Sequence, residues 1–200
     1  NFYCDFLSRL GEFIKESGRF SLFPPGNLGK GNMNLYRFFT ELATKLSTRH
    51  ATVVGLIVPD HLYLGASGYS IRKELIEKRG KLYLRAFENS GGVWFPTIHR
   101  STRFCLFTSI MATPEESLNA AFGLRTLKSI PTNAKGINIP TWMCNEFGGS
   151  AFTIPEVMSE YEVEIIQAIH SAYTSFQSSY QHFSASKRPY SQELNTGSNK

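Results

Sequence analysis

Residues Val53-Val54-Gly55-Leu56-Ile57-Val58 form an unbroken apolar run that Pro59 closes. A strand with one wet face alternates polar and apolar side chains; this run has no polar phase, which predicts a central strand covered on both faces. Before it, Leu35, Phe38, Phe39, Leu42, Ala43 and Leu46 mark one face of a helix that Asn32 or Asn34 is placed to cap. After it, Ile71, Leu75 and Ile76 predict a helix over 70–78, followed by strands at Leu82–Phe87 and Arg103–Ile110. Helix, strand, helix, strand, strand is half of an open α/β sheet that closes with an antiparallel hairpin at one edge.

The flanks are less patterned. Phe2, Phe6, Leu10, Phe13 and Ile14 recur at helical spacing over residues 1–17. Gly18 to Gly31 reads as loop and contains Phe23-Pro24-Pro25-Gly26-Asn27. Beyond Met111 a helix is expected over Pro114–Leu124, with Glu115 and Glu116 favouring its first turn. Residues 125–152 are mixed and glycine-rich. Ser159-x-x-Glu162 is a capping box, and Val163, Ile166, Ile169, His170 and Tyr173 extend it as a helix over 159–173. The domain reading is therefore an α/β part over 1–110, a mostly helical extension over 111–186, and a polar linker over 187–200. The chain starts at Asn1 with a helical pattern already under way, so an internal piece of a longer protein is expected.

Composition removes several function classes. Apolar residues at 42% and charged residues at 18% over 200 positions suit a soluble domain with a sizeable core. The net charge of +5 is compatible with nucleic acid without demanding it. Cys4, Cys105 and Cys144 make no CxxC pair, which argues against a disulfide framework or a zinc site and for a reducing, cytoplasmic setting. No apolar run is long enough to span a membrane, and no basic-led apolar leader is present. The five histidines are scattered, so no metal site is expected. Neither G-x-G-x-x-G nor G-x-x-x-x-G-K-[ST] occurs; Gly29-Lys30-Gly31 is too short for either, although Lys30 precedes a helix N-terminus where it could meet a phosphate. A flexible surface loop is the plainer reading of those three residues. No G-x-S-x-G supports a serine hydrolase.

The segment between the last two strands stands apart. It holds Gly91-Gly92, Trp94-Phe95-Pro96 and His99-Arg100, whereas a hairpin built only for closure needs two to five residues of Asn, Asp and Gly. Trp94 and Phe95 offer flat faces for a base, and Arg100 and Arg103 offer charge for phosphates. Core packing for the aromatics and a solvated face for the arginines is the competing reading.

Taken in order, Gly31-Asn32-Met33-Asn34-Leu35-Tyr36-Arg37-Phe38-Phe39, Val54-Gly55-Leu56-Ile57-Val58-Pro59, Ala86-Phe87-Glu88-Asn89, Phe95-Pro96-x-x-His99 and Arg103-Phe104-Cys105-Leu106 form a recognisable series. Over residues 28–110 this series resembles the rear half of the N6-adenine DNA methyltransferase domain of type IIG restriction–modification and BREX-like phage-defence proteins. A looser likeness runs through Ser129-Ile130-Pro131, Ile154-Pro155-Glu156 and the 159–173 helix, and Tyr190-Ser191-Gln192-Glu193-Leu194 resembles the junction toward a target-recognition region. The resemblance implies a Rossmann-like sheet, with Val53–Val58, Leu82–Phe87 and Arg103–Ile110 as its fifth, sixth and seventh strands. It implies methyl transfer from S-adenosylmethionine to an adenine flipped out of double-stranded DNA. Phe95 matches the aromatic that stacks on the flipped base, and Lys30, His99, Arg100 and Arg103 are the candidate DNA contacts. The glycine-bearing cofactor motif is absent, and Phe23-Pro24-Pro25-Gly26 lacks both the amide or carboxylate before its prolines and the aromatic after them. By the resemblance, an upstream half would carry cofactor binding and catalysis, and this chain alone would be inactive. The alternative is a non-catalytic DNA-binding or scaffold module derived from that fold.

Overall fold

The computed structural model describes residues 2–22, 34–131 and 135–173. Phe23-Pro24-Pro25-Gly26, Lys30, the 187–200 linker and the 190–194 junction lie outside them. Among the described residues the chain is α/β, with one five-stranded mixed sheet and six α-helices. The helices are α1 (Phe2–Glu16), α2 (Leu35–Leu46), α3 (His61–Leu64), α4 (Tyr69–Glu77), α5 (Thr141–Gly148) and α6 (Glu160–Ala172). The strands are β1 (Val53–Pro59), β2 (Lys81–Glu88), β3 (Arg103–Ile110), β4 (Ser117–Leu124) and β5 (Ile137–Pro140), ordered β1-β3-β2-β4-β5 across the sheet. The chain divides into two compact units, Asn1–Val163 and Glu164–Lys200, the second described only to residue 173.

β3 runs antiparallel to both β1 and β2, and β2 runs parallel to β4. β1, β2 and β4 therefore point the same way. The β2–β3 hairpin is interior to the sheet, not at its edge as expected, because Arg103–Ile110 is paired along both of its sides. Its buried Phe104, Cys105 and Phe107 suit that central position. β1 takes the edge place instead. Val54 and Val58 are buried, while Val53 and Ile57 are 58% and 62% exposed, so the expectation of a strand covered on both faces is corrected: among the described residues only one face of β1 is covered.

Residues 114–124 are the second correction. They form a short irregular stretch and then β4, not a helix, and β4 with β5 joins the same sheet as residues 53–110. Leu118, Ala120, Phe122 and Leu124 alternate at period two and all are buried, which a helix cannot achieve with that spacing. Glu115 pairs with Lys81 across 3.4 Å instead of capping a helix. The extension after residue 110 is accordingly strand and helix together, with Met143 and Cys144 of α5 fully buried.

The face of α2 is the third correction. Of the expected apolar stripe only Phe38 is buried; Leu35, Phe39, Leu42 and Leu46 are exposed, and Arg37, Thr40, Glu41 and Thr44 turn inward. The polar face is tolerated because several of its groups are hydrogen-bonded. Thr40 and Thr44 hydroxyls donate to Tyr36 and Thr40 carbonyls at 2.7 Å, and Glu41 Oε1 accepts from Leu22 N–H and meets Lys45 Nζ at 2.6 Å. Helices α1 and α6 stand where the sequence places them. At the start of α6, Ser159 Oγ accepts from Glu162 N–H, and Glu162 Oε2 accepts from Met158 N–H one residue further out than a standard capping box.

Arg72 ties the segment before α6 to α3 and α4. It is 1% exposed and spends its guanidinium on three carbonyls: Leu62 and Phe152 at 2.8 Å, and Ala151. Burial without a carboxylate partner pulls its pKa down to about 10.

Candidate base-stacking loop

Because β1, β2 and β4 are parallel, their carboxyl ends open along one edge of the sheet, at Pro59, Glu88 and Leu124. That edge is where α/β sheets bind their ligands, because loops there are free to vary over a fixed scaffold. The segment 89–102 sits on it.

Asn89 organises the segment. It is 1% exposed, and its side chain reaches four backbone groups of the loop. Oδ1 accepts from Trp94 N–H at 3.2 Å and Phe95 N–H at 2.9 Å, while Nδ2 donates to the Phe95 carbonyl at 3.0 Å and the Ile98 carbonyl at 3.4 Å. Its own N–H donates to the Thr102 carbonyl, closing the base of the loop. The chain reverses toward these contacts through Gly91 and Gly92, both at φ +73°, a conformation that costs a side chain about 1–2 kcal/mol. Nothing lies within 4 Å of the place a Gly92 Cβ would take, so the backbone angle alone demands glycine there.

The aromatics pack onto the end of the sheet. Phe87 and Phe104 stack at 5.0 Å and 7°, on a small core with Ala121 and Leu124. Trp94 meets Phe87 edge-on at 5.0 Å, and Phe95 meets Phe104 edge-on at 5.0 Å. Both loop rings remain half-buried. Trp94 is therefore mainly an anchor, with its indole Nε1 enclosed and unmatched by any acceptor among the described residues. Phe95 is fixed on both sides of its own backbone and on one part of its ring.

The charged residues divide into paired and open. Arg103 pairs with Glu156 and donates to Tyr63 Oη at 2.9 Å; Tyr63 Oη in turn donates to Glu156 Oε1 at 2.6 Å. Burial holds the Tyr63 phenol well above its ordinary pKa, so it stays a donor. Glu88, at the end of β2, pairs with Arg125 at 2.7 Å. His99 Nδ1 lies 2.7 Å from Ser101 Oγ, and both His99 and Arg100 are exposed at the tip. Phe95, His99 and Arg100 thus share one loop, Arg103 at its end is engaged by Glu156 and Tyr63, and Lys30 falls outside the described residues.

Sequence reasoning overlooked Asn89 and the Tyr63–Arg103–Glu156 cluster. Asn89 had a local signal: an Asn at a strand end followed by Gly-Gly is a residue type that bonds its own downstream backbone. The second cluster joins residues 53 and 93 positions from Glu156 and leaves no local pattern.

Cys105 and Cys144 are buried, with burial raising both thiols, Cys144 to about 12, so neither forms a reactive thiolate. Among the described residues no group of three His, Cys, Asp or Glu could hold a metal ion. At the end of β1 the chain passes through Pro59 and Asp60 directly into α3. No helix among the described residues is long and apolar enough to cross a membrane.

No family model matches the chain, and no curated protein matches it. Among solved structures it is similar to one described as the cryoEM structure of a DrdV–DNA complex, at 12% identity and a TM-score of 0.45. The similarity covers 62% of this chain and 14% of that one, so the chain spans about one-seventh of its length. The fold is α/β with a mixed sheet. At that TM-score the likeness decides nothing about chemistry.

Proposed function

We propose that this chain supplies the target-base side of a site-specific DNA adenine-N6 methyltransferase of restriction–modification or phage-defence type, with a Rossmann-like sheet completed outside it. The observation that carries the reading is the Asn89-held loop, which presents half-buried Phe95 at the carboxyl ends of three parallel strands. An extruded adenine loses stacking worth a few kcal/mol, and a fixed apolar ring offsets it. Phe95 has that ring, with part of it committed to Phe104 and part open. In this reading the exposed Arg100 and His99 of the same loop contact the phosphates that flank an extruded nucleotide. Arg103, already paired with Glu156, acts in this reading by securing the start of β3. The motif series from residue 31 to residue 106 supports the same assignment. S-adenosylmethionine would be the methyl donor and would be held by an upstream half, with a target-recognition region downstream.

The test is product analysis with methyl-labelled S-adenosylmethionine and DNA. The complete polypeptide should place label on adenine N6, and the 200-residue chain alone should place none. Label on cytosine, or no transfer by the complete polypeptide, would overturn the proposal.

A second reading, a non-catalytic DNA-binding or scaffold module, rests on the exposed cation Arg100 in the same loop. It predicts salt-dependent binding of DNA by this chain alone. Absence of DNA affinity at low salt would remove it.

A further inference from the structure

We infer that Asn89 is the positioning residue of this loop: one buried carboxamide sets where the Phe95 ring stands, and with it the loop's ability to receive a base. The inference rests on the base-stacking reading above for its purpose, and on the hydrogen bonds for its mechanism.

Phe95 is the residue of the loop that Asn89 holds from both sides, its N–H at 2.9 Å from Oδ1 and its carbonyl at 3.0 Å from Nδ2. The same side chain also secures Trp94 N–H through Oδ1 and, three residues on from Phe95, the Ile98 carbonyl through Nδ2. Ile98 N–H closes back on the Phe95 carbonyl at 3.1 Å, so that carbonyl accepts twice. A backbone fixed at both its donor and its acceptor leaves a side chain only its own rotamers, and the Phe104 ring at 5.0 Å restricts those. Alanine at position 89 would remove the carboxamide and leave four backbone groups without these partners. An aspartate would keep the two acceptor contacts and forfeit the two donations. Aspartate keeps the volume of asparagine, so what it loses is hydrogen bonding and not packing.

The experiment uses the full 200-residue chain, labelled with nitrogen-15, and its Asn89→Ala and Asn89→Asp variants. Amide exchange is followed at Trp94 and Phe95, and affinity is measured for a duplex whose single adenine faces an abasic site and for a fully paired duplex. In Asn89→Ala, exchange at both amides should quicken by about tenfold, the worth of one lost hydrogen bond. Affinity for the extrahelical adenine should fall about fivefold or more, with paired-duplex affinity unchanged. In Asn89→Asp the two amides should stay protected while adenine affinity still falls, because the Phe95 and Ile98 carbonyls have lost their donor. Unchanged exchange in Asn89→Ala would overturn the inference. So would faster exchange with adenine affinity intact, which would make Asn89 a structural residue alone. If the unaltered chain shows no preference for the extrahelical adenine, the base-stacking reading fails, and faster exchange in Asn89→Ala then supports the clamp by itself.

Discussion

Replacing Phe95 with alanine and with leucine separates a base platform from a core residue. The Phe95 ring is half-buried and shares one edge-on contact with Phe104 at 5.0 Å. Half of the ~1.5–3 kcal/mol for burying a Phe, plus part of the ~0.5–1.5 kcal/mol of an aromatic pair, puts the stability cost of Phe95→Ala at about 1–2 kcal/mol. For a chain of this size that lowers Tm by about 2–8 °C. Stacking on a base is worth about 1–3 kcal/mol by alanine substitution, or about 5- to 150-fold in affinity. Phe95→Leu keeps most of the apolar volume and gives up the flat face. Leucine should therefore return most of the lost Tm and little of the lost affinity. Differential scanning calorimetry reads the first quantity, and fluorescence anisotropy with an extrahelical-adenine duplex reads the second, below the transition of every variant. If Phe95→Leu binds that duplex like the unaltered chain, flatness is irrelevant and the stacking argument is refuted. A Tm loss well beyond 10 °C for Phe95→Ala with affinity intact would make Phe95 a core residue.

Three further outcomes follow from the same edge of the sheet. Gly92→Ala should cost about 1–2 kcal/mol from backbone conformation alone, seen as a lower urea midpoint with unchanged m-value, since the site is otherwise empty. Tyr63→Phe removes a hydroxyl that donates to Glu156 and accepts from Arg103; about 1–2 kcal/mol of stability should be lost, and Arg103→Ala should add little to it in the double variant, because the two share one cluster. Arg100→Ala should weaken DNA binding by a similar factor for all sequences and reduce the slope of log affinity against log salt by about one; an unchanged slope would mean Arg100 touches no phosphate.

Periodicity made α1, α2, α4, β2, β3 and α6 legible, because each carries enough apolar residues at one spacing to declare its type. Type was easier to read than orientation. The α2 pattern of Leu35, Phe39, Leu42 and Leu46 names a helix correctly but not its inward side, since the buried side is the one with Arg37, Glu41 and Thr44. β4 was hidden for a different reason: Asn119, Ala120, Ala121 and Gly123 are poor strand formers, and position beside β2 outweighs that propensity. The apolar run of β1 implied cover on both faces, yet the described residues cover only one. At the site, the loop announced itself by length and aromatic content, whereas its fastening through Asn89 depends on hydrogen bonds that composition does not record. The pairing of Arg103 with Glu156 is farther out of reach, since only the folded sheet end brings the two together.

The central claim is that Phe95 receives an extrahelical base. The most direct measurement places 2-aminopurine opposite an abasic site in a short duplex and follows its emission as the unaltered chain is added. Stacking on Phe95 predicts emission that changes on binding with the unaltered chain and not with Phe95→Leu at equal occupancy. Binding with the same emission for both proteins would contradict the account.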